Sequence, residues 1–186
     1  MPRPAVFLDR DGTLIEERNH ISRPEQVALL PGTAPTLSLL RQAGFLCVVV
    51  TNQSGIGRGL FSEVELRAVH EEMCRQLQGA GVVLDGLYHC PIAPKIKDKS
   101  VIEHPDRKPG PGMLLRAARE LDIDLAESWI VGDTASDILA GRNAGCRGGI
   151  LLRSGHDVLA SLAYLGDRDV VVDDLPAAAR WILHGP

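Results

Sequence analysis

Three short apolar runs constrain the fold of this chain more than any other feature. Ala5–Leu8, Phe45–Val50 and Trp129–Val131 carry no polar residue in alternation. A strand with one face in water alternates. A strand buried on both faces does not, and such strands belong to parallel sheets covered by helices on both sides. Gly86–Cys90, Gly149–Leu152 and Val170–Val172 extend the series more weakly. Helical patterns fill the gaps. Thr33 and Pro35 open one, Leu37 and Leu40 line its inner face, and Gly44 stops it. Ser62-Glu63-Val64-Glu65 reads as a capping box ahead of Leu66, Val69, Met73 and Leu77. A third helix is expected from Pro111 to Leu121 and a fourth from Ser136 to Gly145, while Asp174 before Pro176 starts a last one. The alternation predicts an α/β fold: a Rossmann-like, doubly wound, mostly parallel sheet. Pro91 to Arg107 shows neither period, and a structureless loop of that length inside a compact domain usually has a job.

Composition narrows the class. A length of 186 residues suits one domain, 1–186, and 45% apolar content with a net charge of −4 excludes a disordered chain. Twenty Lys and Arg against 24 Asp and Glu leave no electrostatic footprint for nucleic acid or anionic lipid. The longest apolar run is a strand's length, so no membrane span is expected, and the residues before Ala5 are too few for a signal peptide. Cys47, Cys74, Cys90 and Cys146 form no CxxC pair and no disulfide rhythm. The expectation is a reduced, cytoplasmic, soluble domain, monomeric by default. Cys47, Cys74 and Cys146 read as small buried hydrophobes. His70 reads as a solvated or core histidine, His156 and His184 have no partner motif, and Leu159, Leu162, Ala163 and Leu165 read as packing.

Ligands of open parallel sheets bind at the carboxyl ends of the strands. After the first run comes Asp9-Arg10-Asp11-Gly12-Thr13, a turn able to aim two carboxylates at one point. After the second comes Thr51-Asn52-Gln53-Ser54-Gly55-Ile56-Gly57-Arg58-Gly59, a hydroxyl, an amide and a glycine-rich backbone suited to an oxyanion. Arg107-Lys108-Pro109-Gly110-Pro111 puts two cations at a helix start, where the helix dipole disfavours them unless an anion is bound. Gly132-Asp133-Thr134-Ala135-Ser136-Asp137 sets two carboxylates one helical turn apart. Each has an ordinary structural reading when taken alone: an acidic turn, a flexible loop, a solvated basic pair, an N-terminal helix charge. Together, in order, they place several carboxylates, a lysine and a hydroxyl in one crevice. Carboxylates in excess suit Mg²⁺, which binds one or two of them together with phosphate and water. A carboxylate nucleophile, Mg²⁺ and a lysine together imply phosphoryl transfer through an aspartyl phosphate.

These four motifs resemble those of the haloacid dehalogenase superfamily of phosphatases, over about Ala5 to Arg180. Phe7-Leu8-Asp9-Arg10-Asp11-Gly12-Thr13-Leu14, Thr51-Asn52-Gln53-Ser54-Gly55-Ile56 and Arg107-Lys108-Pro109-x-Pro111-Gly112-Met113 are similar to those of the D,D-heptose 1,7-bisphosphate phosphatases and the histidinol phosphatases. The resemblance implies the haloacid dehalogenase fold with minimal, capless lid loops around Glu17–His20 and Pro91–Arg107. It implies Asp9 as nucleophile and Asp11 as the acid and then the base. Thr51 and Lys108 would hold the phosphoryl oxygens. Asp9, the main-chain carbonyl of Asp11 and Asp133 would ligate Mg²⁺, with Asp137 behind them. Substrate contacts would come from Glu17, Arg18, Asn19, His20, Asn52, Gln53, Ser54, Arg107 and Thr134. The substrate expected is a small phosphorylated metabolite, D-glycero-D-manno-heptose 1,7-bisphosphate losing its C7 phosphate, with histidinol phosphate as the alternative.

Departures from the family pattern matter too. The structural zinc ligands of such heptose phosphatases, Cys-x-His before the loop and Cys-x-Cys after it, match Cys90, Ile92, His104 and Asp106 here. Isoleucine cannot ligate, so no structural zinc is expected. A rebuilt site from His89, Cys90, His104 and Asp106 is the counter-reading. Lys95, Lys97 and Lys99 are expected to pair with Asp98, Glu103 or Asp106. A polynucleotide 3′-phosphatase, suggested by the Thr51-to-Gly59 motif, would want a basic groove that a chain of net charge −4 does not offer. A phosphoryl-accepting receiver module would lack Asp11.

Overall fold

The apolar runs assemble into one sheet. The structure, a computed structural model, describes residues 1–154 and 158–185, so His156 lies outside the described residues. The strands are β1 (Ala5–Leu8), β2 (Leu46–Asn52), β3 (Gly86–Cys90), β4 (Trp129–Gly132), β5 (Gly148–Leu152) and β6 (Val170–Val172), in spatial order β3-β2-β1-β4-β5-β6. Every pairing is parallel. β1 is central: Val6 faces Cys47 of β2 on one side and Trp129 of β4 on the other.

The lack of alternation has a direct cause. Val6, Leu8, Cys47 and Val49 point to one face, where they pack with Leu37, Leu40, Val69, Met73, Leu77 and Ala178. Ala5, Phe7, Val48 and Val50 point to the other and pack with Met113, Leu114, Ala117 and Ala140. Both faces are therefore apolar. Each fully buried Val, Leu or Phe contributes about 1.5–3 kcal/mol relative to exposure.

The first face is covered by α1 (Thr33–Gln42), α3 (Glu63–Gly79) and α7 (Leu175–His184), and the second by α4 (Gly112–Leu121) and α5 (Ala135–Ala144). Local chemistry sets their ends. Ser62 Oγ accepts from the Glu65 amide at 3.2 Å while the Glu65 carboxylate accepts from the Ser62 amide at 2.7 Å, the reciprocal cap of α3. The Asp174 carboxylate accepts from the Ala177 amide at 2.8 Å, with Pro176 in the first turn of α7.

Three details depart from the sequence reading. β2 continues to Asn52, so Thr51 and Asn52 pair with His89 and Cys90 of β3 and are held inside the sheet. Two short helices, α2 (Ser54–Gly57) and α6 (Val158–Leu162), have no periodic signal because each is about one turn long. Leu159 and Leu162 are exposed, not packed, and Cys74 is exposed on α3 while Cys47 is buried as expected. Among the described residues, no helix is long and apolar enough to cross a membrane.

Candidate active site

The strand order reverses between β1 and β4, and the chain leaves both strands there in tight turns. The Asp9 amide donates to Val131 O at 3.0 Å, tying the two strand ends together. Beyond it, the Leu14 and Ile15 amides donate to Arg10 O, curling the segment back on itself. Gly12 has φ +75°, and a Cβ there would lie 2.4 Å from Asp133 Oδ2, so no other residue lets the β1 turn approach the β4 acid this closely.

Lys108 reaches the same point from ahead of α4. Its ammonium lies 2.8 Å from Asp9 Oδ1, 2.5 Å from Asp137 Oδ1 and 2.7 Å from Val50 O, with the residue 3% exposed. Asn52 fixes the Lys108 backbone: its Nδ2 donates to Lys108 O and its Oδ1 accepts from the Lys108 amide, both at 3.0 Å. Burial alone would lower the Lys108 pKa, but the Asp137 and Asp9 carboxylates outweigh it and raise the ammonium above its ordinary range.

Three carboxylates face one another here. Ligand oxygens of Asp9, Asp133 and Asp137 all lie within 4.8 Å. Burial pushes Asp9 up to about 6, against the opposing Lys108 charge and with further repulsion from Asp137 and Asp11. Burial followed by repulsion from Asp9 and Asp137 pushes Asp133 up to about 8. Asp137 gives one oxygen to the Thr134 amide (3.0 Å) and hydroxyl (2.7 Å) and the other to Lys108. That leaves Asp9 and Asp133 turned to the crevice. A hard-oxygen donor set whose anionic form is penalised by its own repulsion suits a divalent cation of the Mg²⁺ kind.

Asp11 is held separately. Arg10 grips it through Nε (3.1 Å) and Nη2 (2.9 Å to each oxygen). Gln53 Nε2 donates to Asp11 Oδ2 and to Thr51 Oγ1, each at 2.8 Å, and Gln53 Oε1 accepts from Arg10 Nη2 at 3.1 Å. Asn52 and Gln53, expected at the substrate, line the crevice and also make these hydrogen bonds inside the protein, to Lys108 and to Asp11. Arg10, fully buried, was not singled out from the sequence. A charged residue flanked by two acids ahead of a glycine turn is the signal that could have marked it.

The crevice opens into a cavity of about 630 Å³. Glu17, Asn19, His20, Ser54, Arg107 and Thr134 line it, together with Asn52 and Gln53. Arg18 is not among the lining residues; its guanidinium pairs with Glu16 at 2.5 Å. Asn19 and His20 have φ of +49° and +65°, and the His20 ring lies 6.4 Å from that of Phe61. The mouth also carries Arg58, from the glycine-rich loop after β2, and Lys95, Lys97 and Lys99. Glu103 accepts from the Lys95 and Ile96 amides, and Asp98 caps Ser100.

The Pro91–Arg107 loop is tied down by ordinary hydrogen bonds. The Gly57 amide donates to Pro91 O at 2.9 Å and Arg107 Nη1 to Ile92 O at 2.8 Å. His89 instead meets Glu63 at 2.9 Å, His104 Nδ1 accepts from the Asp106 amide, and Asp106 lies 3.7 Å from Arg116. Among the described residues, His89, Cys90, His104 and Asp106 do not gather as a metal-ligand group. A zinc chelator is therefore expected to leave the melting temperature unchanged, as thermal unfolding with and without chelator will show. One zinc per chain by elemental analysis, with loss of stability on its removal, would contradict this.

Comparison with known proteins places this geometry. Residues 106–178 match the HAD-hydrolase-like family model. The D-glycero-D-manno-heptose-1,7-bisphosphate 7-phosphatase of Thermosynechococcus vestitus is 41% identical over 98% of this chain and 96% of its own length. The D-glycero-beta-D-manno-heptose-1,7-bisphosphate 7-phosphatase of Pasteurella multocida is 41% identical over 84% of this chain and 85% of its own. The crystal structure of D,D-heptose 1,7-bisphosphate phosphatase from B. bronchiseptica, complexed with magnesium and phosphate, superposes with a TM-score of 0.85. It is 35% identical and covers 98% of this chain and 99% of its own. Relatives of that identity and coverage show that the chain belongs to the haloacid dehalogenase-like hydrolases and is a phosphatase of that family.

Proposed function

We propose that this protein is a Mg²⁺-dependent phosphomonoesterase that removes the C7 phosphate of D-glycero-D-manno-heptose 1,7-bisphosphate through an aspartyl phosphate on Asp9. The observation that carries the reading is the buried Lys108 ammonium between Asp9 and Asp137, with Asp133 opposite and Asp11 held beside them. Residues 1–186 act in this reading as one catalytic domain. Four free cysteines are consistent with a reducing cytoplasm.

The Asp9 carboxylate attacks phosphorus, and the bond to the leaving oxygen breaks as Asp11 gives that oxygen a proton. Asp11 then takes a proton from the water that cleaves the acyl phosphate, returning Asp9 to its carboxylate and releasing inorganic phosphate. Thr51 Oγ1 and Lys108 hold the phosphoryl oxygens. Lys108 carries its full charge when substrate enters, because the Asp137 and Asp9 carboxylates keep it protonated. When bound by Asp9, Asp133 and the Asp11 carbonyl, Mg²⁺ supplies positive charge that offsets repulsion between an anionic nucleophile and an anionic phosphate.

Charge at the mouth supports a bisphosphate. Beyond the catalytic cluster, Arg58, Lys95, Lys97 and Arg107 line the cavity against Glu17, Asp98 and Glu103. A second phosphate on the leaving group is attracted there, whereas the ammonium of histidinol is repelled. Phosphate release from heptose 1,7-bisphosphate, histidinol phosphate and a 3′-phosphorylated oligonucleotide, with and without Mg²⁺, tests the reading. Faster turnover of either of the last two would overturn it. Arg107→Ala is expected to lower kcat/KM for the bisphosphate about tenfold or more, the scale of one charged hydrogen bond, and to affect an aryl phosphate less. Equal losses on both substrates would remove Arg107 from substrate recognition.

The metal site has a signature in stability. Asp9 and Asp133 titrate at about 6 and about 8 in the folded protein, above their unfolded values. Their contribution is thus fully present below the unfolded pKa and lost as pH rises through the folded values. The metal-free protein is expected to melt at progressively lower temperature as pH rises from about 5 to about 8. Mg²⁺ is expected to raise the melting temperature most at the upper end. Scanning fluorimetry in chelator and in Mg²⁺ checks both; a pH-independent melting temperature without metal would contradict it.

A further inference from the structure

Arg10 stands between the two aspartates of the β1 turn, wholly buried. A guanidinium has five N–H donors and no acceptor. Nε and Nη2 are spent on Asp11 and Gln53, while Nη1 is buried and has no hydrogen-bond partner among the described residues. On α3, His70 is 9% exposed, and its Nε2 is also buried without a partner. These two orphaned atoms are chemical complements. After burial, the Arg10 charge is the largest influence on His70, and together they push the imidazole down to about 3, so it stays neutral with a lone pair to offer. His70 packs edge-on against His89 at 5.8 Å, and His89 meets Glu63.

We propose that Arg10 is the positioning residue for Asp11, and that His70 completes the Arg10 donor shell through one ordered water. A buried site between a donor and a lone-pair acceptor is where such a water belongs. The planar fork of Arg10 then has one orientation, and the carboxylate it grips through both oxygens inherits that orientation. α3 thus sets the aim of an acid carried by the β1 turn. This inference rests on the phosphatase reading above, in which Asp11 protonates the leaving oxygen.

Leaving-group chemistry supplies the test. An alkyl phosphate needs that proton when the P–O bond breaks, whereas 4-nitrophenyl phosphate, with an acidic leaving group, scarcely does. In rapid-quench measurements with Mg²⁺ present, Arg10→Met is expected to slow enzyme phosphorylation by the heptose bisphosphate by about 10²-fold or more, the scale of a lost general acid. Phosphorylation by the aryl phosphate should fall by less than about tenfold. His70→Leu should shift the ratio of the two rates in the same direction by a smaller factor, and His70→Gln, which restores an acceptor, should bring the ratio back. Should Arg10→Met fail to fold, the two His70 variants decide the matter alone. Equal losses on both substrates, or a His70→Gln variant no better than His70→Leu, would overturn the proposal and leave both residues with packing roles. A wild-type protein that turns over neither phosphate would instead overturn the phosphatase reading, and this inference with it.

Discussion

Asp9→Asn is expected to abolish phosphate release while leaving the chain folded. The amide has no anionic oxygen to attack phosphorus and is a poor ligand for a hard cation, so both functions of this position go at once. Loss of an attacking group that works as one unit with its partners typically costs 10⁴-fold or more. The fold should survive. Asparagine removes one of three mutually repelling carboxylates, and Lys108 retains Asp137 at 2.5 Å and Val50 O at 2.7 Å. Phosphate release and thermal unfolding measured on the same preparation test the two halves together. Acid-quenched wild-type protein should also carry an acid-stable, base-labile phosphoryl group that the variant lacks. Near wild-type turnover by Asp9→Asn would sink the mechanism.

Lys108→Met should damage stability and activity together, and the two losses can be separated. In the wild-type chain the nearly buried ammonium offsets Asp9 and Asp137. Removing one partner of a buried ion pair costs about 3–5 kcal/mol, because the partner charge stays buried. For a chain of this size that is a fall in melting temperature on the order of 10 °C. Loss of a charge aimed at the phosphoryl oxygens should separately slow turnover by about 10²–10³-fold. Protonation can replace the lost counter-charge, so the melting temperature of Lys108→Met should recover toward pH 5 while its activity does not. Parallel recovery of both would mean that Lys108 serves only the fold.

Much of this architecture is legible in the sequence because it arises from short-range rules. Unbroken apolar runs at Ala5–Leu8 and Phe45–Val50 announce strands buried on both faces, and the Ser62/Glu65 and Asp174/Pro176 signals mark helix starts that hydrogen bonds then realise. One-turn helices such as Ser54–Gly57 carry no period, and Leu159 shows that an apolar residue in a short segment need not be covered.

The sequence by itself determined a parallel α/β sheet, the four acidic, hydroxyl and basic motifs at its strand ends, and the family they resemble, since each depends on residues close together along the chain. Tertiary structure alone decided how those motifs share their groups. Asp9 and Lys108 are 99 positions apart yet meet at 2.8 Å, and Gln53 hydrogen-bonds Asp11 while lining the crevice. It also placed Lys95, Lys97 and Lys99 at the cavity mouth, paired Arg18 with Glu16, and buried Arg10 beside the acid it holds. The reason is physical: whether a side chain faces substrate, solvent or a buried partner depends on which donors and acceptors the fold brings within about 3 Å, and sequence spacing does not encode that distance.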